Sequence, residues 1–169
     1  YISSCHDIHE RRSLEETLRS ISITDDLTGL LNRRGFFTLA QQQIKIANRT
    51  GRDMLLVYGD LDGFKKINET FGHHEGDEVL IESATILREV FRESDIIARL
   101  VGDEFAVLMT ERTGDPDELA IVDRLQEAIS SRNTRAQGRP PISLSVGMRK
   151  YDPERPISLD RLISQADAL

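Results

Sequence analysis

Apolar residues recur along this chain with periods that change from segment to segment, and each period predicts an element. Leu14, Leu18 and Ile21 follow a 4-then-3 spacing behind the capping box Ser13-x-x-Glu16, which predicts a connector helix. So narrow a stripe suits either a two-helix seam or docking on its own domain. The polar turn Thr24-Asp25-Asp26-Leu27-Thr28-Gly29 breaks that pattern, and Phe36, Phe37, Leu39, Ala40, Ile44 and Ala47 then mark a helix over 32–48, ended by Gly51. Residues 54–58 (Met-Leu-Leu-Val-Tyr) form an unbroken apolar run, the mark of a strand buried on both faces, with Gly59-Asp60 as its stop. Helices are predicted over 64–71 and 75–91, the second with Val79, Leu80, Ala84, Leu87, Val90 and Phe91 on one side. Two strands at 95–101 and 105–109 flank a Gly-Asp pair, a hairpin signal. Asp115, Pro116 and Glu118 open another helix, 142–148 reads as a last strand, and 159–169 begins a final helix.

From residue 53 the order is thus β-α-β-β-α-β. This predicts an α+β fold with a ferredoxin-like, palm-type βαββαβ core, an antiparallel central sheet flanked by helices and preceded by the N-terminal connector helix. In the simplest form of that arrangement the helices lie on one face of the sheet. Many unrelated proteins share the topology, so function has to come from residues placed on it.

Length and composition narrow the class. The 169 residues fit one domain plus a short appendage, and 38% hydrophobic with 30% charged residues describes a globular chain. No apolar run is long enough to span a bilayer, which predicts no membrane insertion by this piece. A single cysteine, Cys5, excludes an internal disulfide and suits a reducing cytoplasm. A net charge of −7, and nine aromatic residues (3 Tyr, 6 Phe) with no basic–aromatic alternation, argue against a nucleic-acid binder. The start, Tyr1-Ile2-Ser3, is neither an initiator methionine nor a leader, and is expected of a fragment.

An acidic chain that binds an anionic ligand needs local help from a cation, placed Lys or Arg, or free amides. Two acidic clusters stand at neighbouring strand ends: Asp60-Leu61-Asp62 after the first strand, and Asp103-Glu104 in the hairpin. Convergent hard oxygens with a backbone carbonyl nearby are what Mg²⁺ takes when it also holds phosphates. Taken singly, Asp62 could instead cap the following helix and Gly102-Asp103 could be only a turn. The chain has no Gly-x-x-x-x-Gly-Lys-Ser/Thr loop, so phosphates fall to the Phe64-Lys65-Lys66 helix start, unless those lysines are merely solvated. Asn68 lies one turn further on, and Asp77 opens the next helix after Gly72-His73-His74-Glu75-Gly76. A carboxylate accepting from guanine N1–H and its 2-amino group, beside an amide, is a pair that adenine does not satisfy. As bland alternatives, Asp77 is a cap and Asn68 a surface residue. His73 and His74 lack the companions that zinc requires.

These residues resemble the GGDEF domain, the catalytic module of diguanylate cyclases, from about Ser22 to Leu169. The resemblance is carried by Asp25-x-Leu27-Thr28-Gly29-Leu30-x-Asn32-Arg33-Arg34, Asp60-x-Asp62-x-Phe64-Lys65-x-Ile67-Asn68, Gly72-His73-x-x-Gly76-Asp77, Val101-Gly102-Asp103-Glu104-Phe105 and Ser145-x-Gly147. It implies condensation of two GTP into cyclic di-GMP and two pyrophosphates. Asp60, Asp103 and Glu104 would be catalytic, with two Mg²⁺ ions, or Mn²⁺ in their place, on Asp60, Asp103 and the Leu61 carbonyl. Glu104 would ready the 3′-hydroxyl or assist the metal site. Lys65, Asn68, Asp77, Phe64 and Gly102 would bind substrate. Arg92-Glu93-Ser94-Asp95 stands at the family spacing of an inhibitory site for the product, with Arg92 and Asp95 as its ligands. Because one domain holds one GTP, the resemblance also implies a homodimer for turnover.

Residues 1–23 resemble the end of a PAS-type sensor domain followed by a signalling helix, with Asp7-Ile8-His9-Glu10-Arg11 as the exit, which leaves 24–169 as the GGDEF domain of a cytoplasmic signalling protein. Two departures stand out. Val101 replaces the first glycine of the signature, and a β-branched residue resists positive φ unless the position is simply the last of a strand. The chain also stops at Leu169, before the family's Lys- and Arg-bearing segment, so this piece is expected to hold GTP more weakly. The alternative function is a degenerate domain that binds GTP or cyclic di-GMP and regulates a partner without turnover.

Overall fold

A computed structural model describes residues 22–110 and 118–168. The connector helix, the PAS-like exit, the Asp115-Pro116 cap and Leu169 lie outside the described residues. The described elements are α1 (Arg33–Thr50), β1 (Met54–Leu61), α2 (Phe64–Phe71), α3 (His73–Val90), β2 (Ile96–Val101), β3 (Glu104–Met109), α4 (Glu118–Arg135), β4 (Leu144–Tyr151) and α5 (Leu159–Asp167). The four strands form one antiparallel sheet in the order β2-β3-β1-β4.

β1 is central, and its alternation feeds two cores. Leu55, Val57 and Leu61 join Val79, Leu80, Leu87, Ile121 and Leu125 on the face covered by α3 and α4. Met54, Leu56 and Tyr58 join Phe36, Ala40, Leu159 and Leu162 on the face covered by α1 and α5. Helices therefore pack on both faces, a correction to the one-face arrangement. Once both sides of β1 are apolar, leaving either open would expose a row of Leu and Val to water. Leu56 and Leu108 are completely buried, so truncating either to Ala should cost roughly 2–5 kcal/mol.

Element ends also shift from the expectation. Gly59-Asp60 does not stop β1, because Gly59 pairs with both Phe105 and Val146 and the strand runs on to Leu61. A Cβ at Gly59 would come within 3.0 Å of Val146 Cγ1, so glycine here allows close strand packing and is no turn. The last strand starts two residues later than the apolar run suggests and continues to Tyr151, whose hydroxyl donates to Asn48 Oδ1 at 2.7 Å. Asn32 caps α1 by accepting from the Gly35 amide, while its own amide donates to the carbonyls of Ser22 and Thr24. No helix among the described residues is long and apolar enough to cross a membrane.

Candidate active site

The β1–β3 register places Asp60 opposite Glu104, and β4 sets Ser145 on the other side of Asp60. The β2–β3 hairpin thereby delivers its Gly102-Asp103 turn to the end of β1, where the Leu61 amide donates to the Asp103 carbonyl at 3.2 Å. The two acidic clusters do converge. Asp60 is the one exposed residue of β1. Partial burial raises its carboxyl above the usual range, and the carboxylates of Asp103, Asp62 and Asp167 push in the same direction. Among the described residues no group of three or more His, Cys, Asp or Glu side chains forms a metal cage. A cation here would rest on two carboxylates, backbone oxygen and the oxygens of a ligand, and the mutual repulsion at Asp60 is what a hard divalent ion relieves.

Asp62 does not cap α2. Its two carboxylate oxygens accept from the hydroxyls of Ser143 and Ser145 at 2.5 Å each, while Gly63, at φ 66°, occupies the cap position of α2. Asp62 thus ties the β1–α2 loop to the start of β4. Phe64 is half-buried against the core and anchors the first turn of α2. Lys65 beside it is solvent-exposed, with Nζ 3.8 Å from the Glu69 carboxylate. Asn68 lies roughly 7.5 Å along the helix from Gly63, at about 1.5 Å per residue, and rests against Gly76 in the first turn of α3, next to Asp77.

The signature turn has ordinary geometry. Val101 ends β2 as an extended, exposed residue paired with Glu104 across a register shift, and Gly102, at φ 56°, is the position that needs positive φ. The valine therefore carries no backbone strain.

Arg92 and Asp95 lie at the opposite end of β2, roughly 20 Å from the turn at about 3.3 Å per strand residue. Asp95 is buried; its carboxylate accepts from the Arg92 amide at 2.9 Å and the Thr110 amide at 3.4 Å. Arg92 is exposed and borders a cleft of about 590 Å³, whose walls include Thr24, Leu39, Arg88 and Ile97.

Three residues at or behind the acidic site escaped sequence reasoning. Tyr58 is buried near Glu104; burial and that carboxylate push the phenol well above its usual value, so its hydroxyl stays protonated. It shares a strand face with Asp60, a period-2 signal that could have found it. Asp167 of α5 borders a cleft of about 270 Å³ together with Tyr58, Asp60, Ser145 and Gly147. Arg99 holds the signature turn from behind, with Nε donating to the Gly102 carbonyl at 2.7 Å. Nothing local marks these last two.

This fold and this acidic end define one class: the chain belongs to the diguanylate cyclase GGDEF-domain family, whose model matches residues 22–169. Similar proteins include the probable diguanylate cyclase DgcC of Escherichia coli K12, 36% identical over 148 residues, which are 86% of this chain and 38% of DgcC. The chain thus spans well under half the length of that relative. Among solved structures, it is similar to the diguanylate cyclase SiaD of Pseudomonas aeruginosa in complex with its activator SiaC, with TM-score 0.77 and 29% identity over 99% of this chain and 64% of that one. The GGDEF domain of DgcB from Caulobacter crescentus, solved in complex with c-di-GMP, matches with TM-score 0.73 and 27% identity over 86% of this chain and 84% of that one.

Proposed function

We propose that this chain is the catalytic part of a diguanylate cyclase, condensing two GTP into cyclic di-GMP with release of two pyrophosphates. The observation that carries this reading is the register that sets Asp60 opposite Glu104, with Asp103 in the adjoining turn. Asp60, Asp103 and the Leu61 carbonyl would hold two Mg²⁺, for which Mn²⁺ can substitute, and the donor set fits hard cations. Bound there, the metal supplies charge neutralisation at the α-phosphate and eases ionisation of the ribose 3′-hydroxyl.

The chain's own groups do the rest. Glu104, with the protonated Tyr58 hydroxyl near it, takes the 3′-hydroxyl proton or supports the metal site. The 3′-oxygen then bonds to the α-phosphorus of the facing GTP, the bond from that phosphorus to the β-bridging oxygen breaks, and pyrophosphate leaves with the electron pair. Asn68 and Asp77 read guanine, while Phe64 and Gly102 shape the floor under the nucleotide. Lys65 meets phosphates by leaving Glu69, an exposed contact of little energy. Each copy presents one GTP, so two copies face each other for turnover.

Product feedback is assigned to Arg92 and Asp95, which both line the cleft of about 590 Å³ that would take cyclic di-GMP, Asp95 also holding the Arg92 amide. The reading is tested by incubating the protein, at rising concentration, with GTP and Mg²⁺ and separating the products. Cyclic di-GMP formation that rises more than linearly with protein, and is lost in Asp103→Ala, supports it; no cyclic dinucleotide at any concentration overturns it.

A further inference from the structure

We infer that Gly76 is a positioning residue for guanine selection: having no side chain, it lets the Asn68 amide lie on the first turn of α3 beside Asp77. The inference rests on the reading of Asn68 as a guanine contact and adds the residue that puts the amide there. A Cβ at position 76 would sit 1.9 Å from Asn68 Oδ1 and 3.0 Å from Asn68 Cγ, and the next nearest atom is Asn68 Nδ2 at 3.5 Å. All three belong to one side chain. The space left by the missing Cβ is filled by the Asn68 amide.

No other requirement for glycine is visible at this position. Gly76 is buried in α3, and its backbone is not among the left-handed glycines, unlike Gly63 and Gly72. In helical geometry alanine is the better residue, so local preference opposes glycine here. Two backbone bonds close the α2–α3 corner: the Gly72 amide donates to the Asn68 carbonyl at 3.0 Å and the Gly76 amide to the Gly72 carbonyl at 3.2 Å. Those bonds fix the Asn68 backbone, so the remaining freedom is the direction of its side chain. An alanine at 76 would turn the amide away and leave the corner intact, because the group in its path is the end of a side chain.

The experiment is calorimetric titration with GDP and ADP, which lack the leaving pyrophosphate and so report binding alone, using wild type, Gly76→Ala, Asn68→Ala and the double variant. Gly76→Ala should lower the GDP-over-ADP preference about tenfold, as loss of one hydrogen bond implies, and match Asn68→Ala. The double variant should lose no more than either single one. Its Tm should also exceed that of Gly76→Ala, since removing the amide removes the collision. If Asn68→Ala loses the preference while Gly76→Ala keeps it, or if the two losses add, the role of Gly76 is overturned and guanine reading by Asn68 stands. If Asn68→Ala keeps the wild-type preference, the guanine reading itself fails and the inference with it.

Discussion

Arg99 joins Asp25 to the turn that carries Asp103. Its Nη1 lies 3.2 Å from both carboxylate oxygens of Asp25, while its Nε donates to the Gly102 carbonyl. Asp25 also accepts from the Thr28 amide and hydroxyl at 2.9 and 2.7 Å, and Asn32 holds the carbonyls of Ser22 and Thr24. The turn at 24–29 is thus bonded directly to the signature hairpin through one guanidinium.

Burial alone would raise the Asp25 carboxyl, but the Thr28 donors and Arg99 outweigh it and hold the group below the usual carboxylate range. A depressed folded value stabilises the fold above the unfolded value of about 3.9 and ceases to do so as pH falls through the folded one. Asp25→Asn should therefore lower stability by about 1–2 kcal/mol at pH 7, the scale of partly exposed charged hydrogen bonds, and by much less at pH 3. Urea unfolding at both pH values checks this; an equal loss at each would remove the charge from the account.

Repulsion among Asp60, Asp103 and Asp62 predicts that metal-free Asp60→Asn has a higher Tm than wild type and a smaller rise in Tm on adding Mg²⁺. Asp62→Asn should keep most of the Mg²⁺ response, because its oxygens are committed to Ser143 and Ser145. Thermal scans with and without Mg²⁺ separate the two. A Mg²⁺ response equal to wild type in Asp60→Asn would exclude that residue as a ligand.

Arg92→Ala should relieve inhibition by added cyclic di-GMP while leaving the initial rate intact. Asp95→Ala should differ, because it strips the acceptor from the Arg92 and Thr110 amides and should cost about 1–3 kcal/mol of stability. Product titration of the initial rate, read beside unfolding curves, tells ligand contact from fold. Inhibition of Arg92→Ala at the wild-type concentration would exclude the assignment.

Val101→Gly should leave turnover within about twofold, since Val101 is extended and exposed, and should lower stability by roughly 0.5–1 kcal/mol through strand entropy. Gly102→Val should be the damaging exchange, because φ is positive there. A large gain in rate from Val101→Gly would favour the degenerate, binding-only alternative for this chain.

Wherever a residue's role depends on its near neighbours, the sequence alone specified it. The apolar run at 54–58 is strand, Gly102-Asp103 is a hairpin turn, and Lys65 and Asn68 fall one turn apart on α2, because periods of 2 and 3.6 and the demands of turns operate over a few residues. Whether Gly59 ended the strand or let Val146 approach, and whether Asp62 capped a helix or met two serines, was decided by the β4 segment, more than eighty positions away. Likewise, the hold of Arg99 on Asp25, the nearness of Tyr58 to Glu104 and that of Asp167 to Asp60 arise only once distant turns, strands and α5 are assembled. The alphabet of local preference fixes which elements form, but a hydrogen bond has a reach of about 3 Å, and only the assembled sheet brings such partners within it.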